Sequence, residues 1–203
     1  MQLATVDALA TLEEKINDKS ALVGIYGLGY VGLPLALRFA EAGLKVLGFD
    51  IDAAKVQQLN AGGSYIERLM PASIQQALGQ GFEATSDFAR TVEVDVLIIC
   101  VPTPLTAHRE PDLSFITNTI DAALPHMRAG QLVSLESTTW PGTTDEVLAP
   151  RLRARGLEPG VNCALVFSPE REDPGNAHYA TKDIPKVIGG TTPRCLELGP
   201  ALY

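Results

Sequence analysis

Three glycines near the start of the sequence have the spacing needed to hold the phosphates of a nucleotide. Gly27, Gly29 and Gly32 form a G-x-G-x-x-G pattern between an apolar run and a segment of helical period. At this spacing the first glycine can form a tight turn, the second leaves no Cβ near a pyrophosphate, and the third lets a helix pack closely. The phosphates would lie at a helix N-terminus, where unpaired amides and the helix dipole favour negative charge. The pattern predicts a dinucleotide-binding turn, although such glycines also occur in purely structural turns.

Asp50 ends the second apolar run, 23 positions after Gly27. This is close to the spacing expected for a carboxylate that accepts hydrogen bonds from the hydroxyls of an adenosine ribose. Because a carboxylate repels a 2′-phosphate, Asp50 favours NAD over NADP.

Three more polar segments follow apolar runs: VPTP at 101–104, ESTTWPGTT at 136–144 and SPEREDPGN at 168–176. The hydroxyl-rich segment can also cap a helix that starts near Asp145. Turn formation explains the prolines and glycines of all three segments. It does not explain Glu170, Arg171, Glu172 and Asp173 after a buried strand, where a cleft would need a general base and an anion-pairing arginine.

These polar segments can form one site only if the strands before them end at the same edge of a sheet. Apolar runs recur at 21–26, 44–49, 94–101, 131–135 and 161–167, with helical patterns such as 33–42 and 145–154 between most of them. Near-continuous apolar strands predict a parallel sheet buried on both faces, and right-handed crossovers make it doubly wound. We therefore predict an α/β fold of the Rossmann type, with a further helix over 66–78 and an edge strand over 82–85. Ligands of such sheets bind outside the carboxyl ends of the strands.

The two ends of the sequence are expected to flank this domain. Residues 1–20 form a short helical lead-in, since Leu9, Leu12 and Ile16 have helical spacing, and residues 21–190 form the NAD-binding domain. Residues 191–203 form a further segment after this domain. There Thr192 and Pro193 predict a helix start, and the Gly199-Pro200 pair predicts a kink or break.

The composition excludes several classes of protein. Hydrophobic residues make up 46% and charged residues 20% of the 203 positions, which is typical of globular proteins, and no apolar run approaches the length of about 18 residues needed to span a bilayer. The first 20 residues lack the features of a secretory signal, so we expect a cytoplasmic protein. A net charge of −8 without a basic cluster argues against a nucleic-acid partner. Cys100, Cys163 and Cys195 lack metal-ligand spacing and are expected to be reduced thiols, with no metal site.

Taken together, GLGYVGLP at 27–34, FDID at 49–52 and the three polar segments resemble the N-terminal half of the UDP-sugar 6-dehydrogenases. The form of SPEREDPGN and of residues 109–115 is more similar to the UDP-N-acetylglucosamine 6-dehydrogenases of surface-polysaccharide synthesis than to UDP-glucose dehydrogenases. The resemblance implies NAD-dependent oxidation of the C6 alcohol of a UDP-sugar to a carboxylate, by a full-length protein that forms a homo-oligomer. It also implies that residues 191–203 begin the connection to a central domain, so that the chain is a truncated piece. Oxidation of UDP-glucose, GDP-mannose or UDP-N-acetylmannosamine remains an alternative, as does a non-catalytic NAD-binding module.

The resemblance also implies roles for individual residues. It assigns NAD contacts to Gly27, Gly29, Tyr30, Val31, Gly32, Asp50, Lys55, Thr103 and Thr138, a catalytic water to Thr138 and Glu170, and substrate contacts to Arg171 and Glu172. Lys55 could equally be a solvated surface lysine. The UDP-glucose enzymes carry a second glutamate where this sequence has Pro174, so a scheme with two carboxylates is in doubt. Members of the family capture the aldehyde on a cysteine in a GG-x-C segment, which this sequence lacks, and Cys195 has no such setting; we therefore expect NAD binding without turnover.

Overall fold

The computed structural model describes residues 7–107, 109–170 and 185–203. Its helices are α1 (Ala8–Asn17), α2 (Gly32–Glu41), α3 (Ala53–Asn60), α4 (Pro71–Gly79), α5 (Ser114–Ala123), α6 (Ala149–Ala154) and α7 (Pro193–Leu202). Its strands are β1 (Leu22–Tyr26), β2 (Lys45–Phe49), β3 (Phe82–Thr85), β4 (Val96–Ile99), β5 (Leu132–Leu135), β6 (Ala164–Phe167) and β7 (Gly189–Gly190). Short 3-10 helices cover Phe88–Val92 and Leu124–His126, and a π-helical turn at Thr144–Leu148 leads into α6.

The strands form one sheet in the order β3-β2-β1-β4-β5-β6-β7 within the described part of the chain. All neighbours are parallel except β7, which pairs antiparallel with β6. The predicted doubly wound α/β fold is confirmed, with residues 82–85 at the edge. Strand β7 consists of two glycines, which have no side-chain alternation, so it was not predicted. The chain order reverses between β1 and β4, and this switch point is where doubly wound sheets bind their ligands.

Both faces of the sheet are buried, as the apolar strands predict. One core contains residues of α1, α2, α3, α4 and α7, packed on Val23 and Ile25 of β1. The other contains residues of α5 and α6 and the stacked rings of Tyr26 and Phe49, whose centroids lie 4.3 Å apart. The helices therefore hold the strands from both sides and fix the positions of their carboxyl ends.

Three local expectations were wrong. The helix predicted over 66–78 is α4, which begins at Pro71 and not at residue 66, because a proline holds the preceding Met70 in an extended conformation. The hydroxyls after β5 do not cap the next helix: Thr143 pairs instead with Thr139 and with the carbonyl of Trp140.

Helix α7 also continues through Pro200 without the expected break, although Thr192 caps its start as predicted. The buried side chains of Leu198 and Leu202 lie on either side of the proline. Burial of a leucine side chain contributes about 2 kcal/mol, so the two together, about 4 kcal/mol, exceed the cost of about 3 kcal/mol for an interior proline.

Asp95, directly before β4, joins helix α1 to the amino edge of the sheet through hydrogen bonds. Its nearly buried carboxylate accepts hydrogen bonds from Lys15 Nζ at 2.8 Å, Arg128 Nη2 at 2.8 Å and the amide of Leu22 at 3.1 Å. Leu9, Leu12 and Ile16 of the helix are buried, which confirms the predicted lead-in helix.

None of the helices in the described ranges is long and apolar enough to cross a membrane.

We expect Asp95→Asn to lower the free energy of unfolding at pH 7 by about 2 kcal/mol, because bonds to a charged group are lost. Burial by itself would raise the pKa of Asp95, but the bonds from Lys15, Arg128 and Leu22 hold it below its usual value. A depressed folded pKa stabilises the protein above the unfolded pKa of about 3.9, and that contribution is lost as the pH falls through the folded value.

Urea unfolding at pH 7, 4 and 2.5 tests this: the difference between wild type and Asp95→Asn should shrink as the pH falls. The exposed Asp121, paired with Arg151, provides the control, and Asp121→Asn should change stability by less than about 1 kcal/mol. A difference for Asp95→Asn that is the same at all three pH values would contradict the interpretation.

Candidate functional site

The glycine pattern forms a tight turn between β1 and α2. Gly27 has a φ of 96°, and its amide donates to the carbonyl of Phe49 at 2.8 Å. A Cβ on Gly27 would lie 2.7 Å from the carbonyl oxygen of Cys100, and one on Gly32 would lie 1.9 Å from the carbonyl oxygen of Gly27. A Cβ on Gly29 would meet no atom within 4 Å. Two glycines are thus required by the fold, whereas Gly29 faces open space.

The N-terminus of α2 presents unpaired donors beside this open space. No described residue accepts a hydrogen bond from the amides of Gly29, Tyr30, Val31 or Gly32. No side chain caps the helix either, because the N-cap position is occupied by Val31. Unpaired amides at a helix N-terminus, supported by the helix dipole, bind phosphates and other anions.

Asp50 lies at the carboxyl end of β2 and is only 8% exposed. Its Oδ2 accepts a hydrogen bond from the amide of Leu28 at 3.0 Å, and its Oδ1 accepts one from the amide of Asp52 at 2.9 Å. Each carboxylate oxygen can accept a second bond, so ribose hydroxyls could still be bound. The support that Asp50 gives to the glycine turn was not predicted, because residues 22 positions apart meet only through the pairing of β1 with β2.

Lys55 lies in the first turn of α3, and its Nζ is 5.5 Å from the ring centroid of Tyr65. The hydroxyl of Tyr65 donates a hydrogen bond to the carbonyl of Leu28 in the glycine turn. Tyr65 was missed in the sequence, because it stands outside every recognised segment. A tyrosine in a loop otherwise rich in glycine and serine is the signal that could have drawn attention to it.

The loops after β4, β5 and β6 lie side by side at the carboxyl edge of the sheet. Ser137 joins two of them, since its Oγ donates to the carbonyl of Ile99 and accepts from the amide of Val101. Thr138 is exposed at this edge, and Glu170 is half-buried, with its amide 3.3 Å from the carbonyl oxygen of Glu136. Arg171 and Glu172 lie outside the described residues.

Two hydroxyls at this edge are buried without a partner. Thr103 Oγ1, after β4, and Ser168 Oγ, after β6, make no hydrogen bond to any residue in the described ranges. Buried polar groups in proteins are almost always paired, so each unpaired hydroxyl needs an explanation such as a ligand or an unseen water. Thr103 was singled out from the sequence, and Ser168 was not.

An ion pair between a buried carboxylate and a half-buried lysine lies at the same edge. Glu136, 1% exposed, is 2.5 Å from Lys186 Nζ, which also lies 4.5 Å from the ring centroid of Tyr203. The Tyr203 hydroxyl is within hydrogen-bonding distance of Ser134 Oγ, at 2.9 Å. Burial, followed by the charge of Glu136, raises the pKa of Tyr203 well above its usual value. This pair was not predicted, because its two residues are 50 positions apart in the sequence.

All three cysteines are free thiols buried in the core. Burial, with a smaller effect of Glu136, raises the pKa of Cys100 well above its usual value. Burial also raises the pKa of Cys163 to about 12. A thiol attacks only as the thiolate, so these two side chains are inert at neutral pH. No group of three or more metal-ligating side chains occurs in the part of the chain that the structure describes.

Residues 21–203 match the model of the NAD-binding domain of the UDP-glucose/GDP-mannose dehydrogenase family. This range contains strands β1 to β7 and the polar segments that follow them. The chain belongs to this family. Its cofactor is therefore NAD, as the glycine turn predicts.

Individual members of the UDP-glucose/GDP-mannose dehydrogenase family support the assignment. The chain is 34% identical over 186 residues to the UDP-N-acetyl-D-glucosamine 6-dehydrogenase of Pseudomonas aeruginosa, covering 91% of this chain and 43% of that protein. It is 33% identical over 183 residues to the UDP-N-acetyl-D-mannosamine dehydrogenase of Pyrococcus horikoshii, covering 89% and 44%. The structure of the UDP-N-acetyl-mannosamine dehydrogenase of S. aureus superposes with a TM-score of 0.80 at 32% identity, covering 90% and 44%. The chain spans less than half the length of these relatives.

The residues in this structure fit the cofactor of the UDP-glucose/GDP-mannose dehydrogenase family. The unpaired amides of α2 suit a pyrophosphate, and the open space at Gly29 leaves room for it. The carboxylate of Asp50 retains free lone pairs at the end of β2. Thr103 supplies a buried hydroxyl without a protein partner among the described residues, at the end of β4 across the switch point.

Proposed function

We propose that the protein containing this chain oxidises the C6 hydroxyl of a UDP-N-acetylhexosamine, most specifically UDP-N-acetylglucosamine, to the uronic acid for surface-polysaccharide precursors. The observation that carries the proposal is the row of unpaired amides at the N-terminus of α2, beside the open face of Gly29. This is the site for NAD, which when bound accepts hydride from the sugar. The other residues of the edge are then placed around the reacting part of the cofactor.

The proposed roles of the cofactor-binding residues are supported by their positions. Gly27 and Gly32 shape the turn, and the amides of Gly29, Tyr30 and Val31 face the pyrophosphate. Asp50 and Lys55 flank the adenosine ribose from the end of β2 and the start of α3. Thr103 and Thr138 reach NAD from the loops after β4 and β5.

Thr138 and Glu170 are proposed to hold the catalytic water. Support comes from their place after neighbouring strands and from the bond between the Glu170 amide and the carbonyl of Glu136, two residues before Thr138. A half-buried carboxylate can take a proton from a water held by a hydroxyl. Arg171 and Glu172, which follow Glu170 directly, are proposed to contact the sugar nucleotide.

The mannosamine epimer is the second candidate substrate. The relatives named above include dehydrogenases of both UDP-N-acetyl-D-glucosamine and UDP-N-acetyl-D-mannosamine at nearly equal identity. Assays of the protein that contains this chain with both UDP-sugars, UDP-glucose and GDP-mannose, followed by NADH absorbance, would separate these choices. Preferential oxidation of UDP-glucose or GDP-mannose would contradict the assignment to an acetamido sugar.

The chain as it stands is expected to bind NAD without forming NADH when UDP-N-acetylglucosamine is added. All three cysteines are buried, so none of them is placed to capture an aldehyde. Calorimetry should detect NAD binding, and Asp50→Ala should weaken it about 30-fold, because bonds to a charged acceptor are lost. NADH absorbance after addition of UDP-N-acetylglucosamine tests whether the chain catalyses the oxidation.

Asp18→Ala is the matched control, because Asp18 accepts a similar bond from the amide of Ser20 before β1, at the opposite edge of the sheet. It should leave NAD affinity unchanged. Unaltered NAD affinity in Asp50→Ala would overturn the assignment of the cofactor site. NADH formation by the chain alone would instead overturn the expectation that it lacks turnover.

A further inference from the structure

Leu28, in the middle of the glycine turn, is held on both sides by side chains from distant segments. Its amide donates to Asp50, and its carbonyl accepts a hydrogen bond from the hydroxyl of Tyr65. Tyr65 lies 37 positions further along the chain, in the connection between α3 and α4. The turn therefore depends on a residue outside the motif that defines it.

The bond to the carbonyl of Leu28 also determines the direction of the next amide. The carbonyl of Leu28 and the N–H of Gly29 belong to one planar trans peptide group and point in opposite directions. By fixing the carbonyl, Tyr65 fixes the N–H of Gly29, which has no acceptor among the described residues. That amide lies at the position where a Cβ would meet no other atom.

The ring of Tyr65 has a second contact. Lys55 Nζ lies 5.5 Å from the ring centroid, within the range of a cation–π interaction. Lys55 follows Asp50 and Asp52, and burial together with these two carboxylates raises the pKa of Tyr65 well above its usual value. The hydroxyl therefore stays protonated and remains a donor at neutral pH.

We propose that Tyr65 is a positioning residue for NAD, whose hydroxyl orients the Leu28–Gly29 peptide for the pyrophosphate and whose ring holds Lys55 beside the adenosine ribose. The residue acts through these two groups and does not itself contact the cofactor. The contrasting explanation is that Tyr65 only anchors its own loop to the sheet. The two explanations differ in whether loss of the hydroxyl changes NAD affinity beyond any change in stability.

Calorimetry of NAD binding to Tyr65→Phe and Tyr65→Leu separates the two contacts. Tyr65→Phe keeps the ring and loses the hydrogen bond, so NAD affinity should fall about fivefold. Tyr65→Leu loses the ring as well and should weaken binding about threefold further. Lys55→Met should reduce affinity in the wild type and have little effect in the Tyr65→Leu background, because coupled residues are not additive.

Tyr26→Phe is the matched control, since Tyr26 is buried in the other core from Leu28 and its hydroxyl donates to Thr91 Oγ1 at 2.9 Å. It should lower thermal stability without changing NAD affinity. A second readout needs no cofactor: in the apo protein, Tyr65→Phe should shift the NMR resonance of the Gly29 amide, and Tyr26→Phe should not. NAD affinity of Tyr65→Phe within twofold of wild type, a loss matched by Tyr26→Phe, or an unmoved Gly29 resonance would each overturn the proposal.

Discussion

Gly29→Ala is expected to abolish most NAD binding and to leave the fold intact. A Cβ at this position meets no protein atom within 4 Å, so the apo protein has room for it. The same methyl group would project into the space proposed for the pyrophosphate, where glycine is needed for close approach of the backbone. We expect NAD affinity to fall at least about 30-fold, with a melting temperature within about 2 °C of wild type. Calorimetry and thermal unfolding measure the two quantities.

Gly32→Ala provides the contrasting control three residues away. Its Cβ would lie 1.9 Å from the carbonyl oxygen of Gly27, so the backbone would have to move. Alanine is the better helix former, yet the overlap should destabilise the protein by about 3 kcal/mol and lower its melting temperature by about 9 °C. If Gly29→Ala unfolded as readily as Gly32→Ala, or bound NAD as tightly as wild type, the open face of the turn would not be the cofactor site.

Lys186→Met is expected to destabilise the protein by about 3 kcal/mol, because it leaves the carboxylate of Glu136 without its cation. Glu136 is 1% exposed, and its Oε1 lies 2.5 Å from Lys186 Nζ. A charge that is buried without a partner costs far more than a surface charge that loses one. Urea unfolding at pH 7 measures the loss.

Two comparison variants make this result specific. Lys45→Met removes an exposed lysine at the first position of β2 and should change stability by less than about 0.5 kcal/mol. The double variant Glu136→Met/Lys186→Met replaces the whole pair by apolar side chains, so its stability should recover most of the loss. A double variant no more stable than Lys186→Met would show that the cost comes from packing and not from the unpaired carboxylate.

The fold was largely readable from the sequence because most of its strands are short apolar runs followed by polar, glycine or proline residues. Burial on both faces requires such runs. Glycine readily adopts a positive φ, as Gly27 does in the structure, so its place in the sequence identifies the turn after β1. The same local information failed at Pro200, where a proline pattern predicts a helix end and the helix continues. There the free energy gained by burying Leu198 and Leu202 exceeds the cost of the proline. A local sequence pattern shows the proline but not how deeply the two leucines are buried.

By itself, the sequence determined the doubly wound sheet, the glycine turn and the family to which these segments point. Only the tertiary structure decided what supports them: Asp50 and Tyr65 on the two sides of Leu28, the unpaired hydroxyl of Thr103, and the pair of Glu136 and Lys186. The physical reason is the range of the interactions. Backbone turns and helix starts depend on residues within a few positions, whereas these side-chain contacts join residues 22 to 50 positions apart that meet only after the strands have paired.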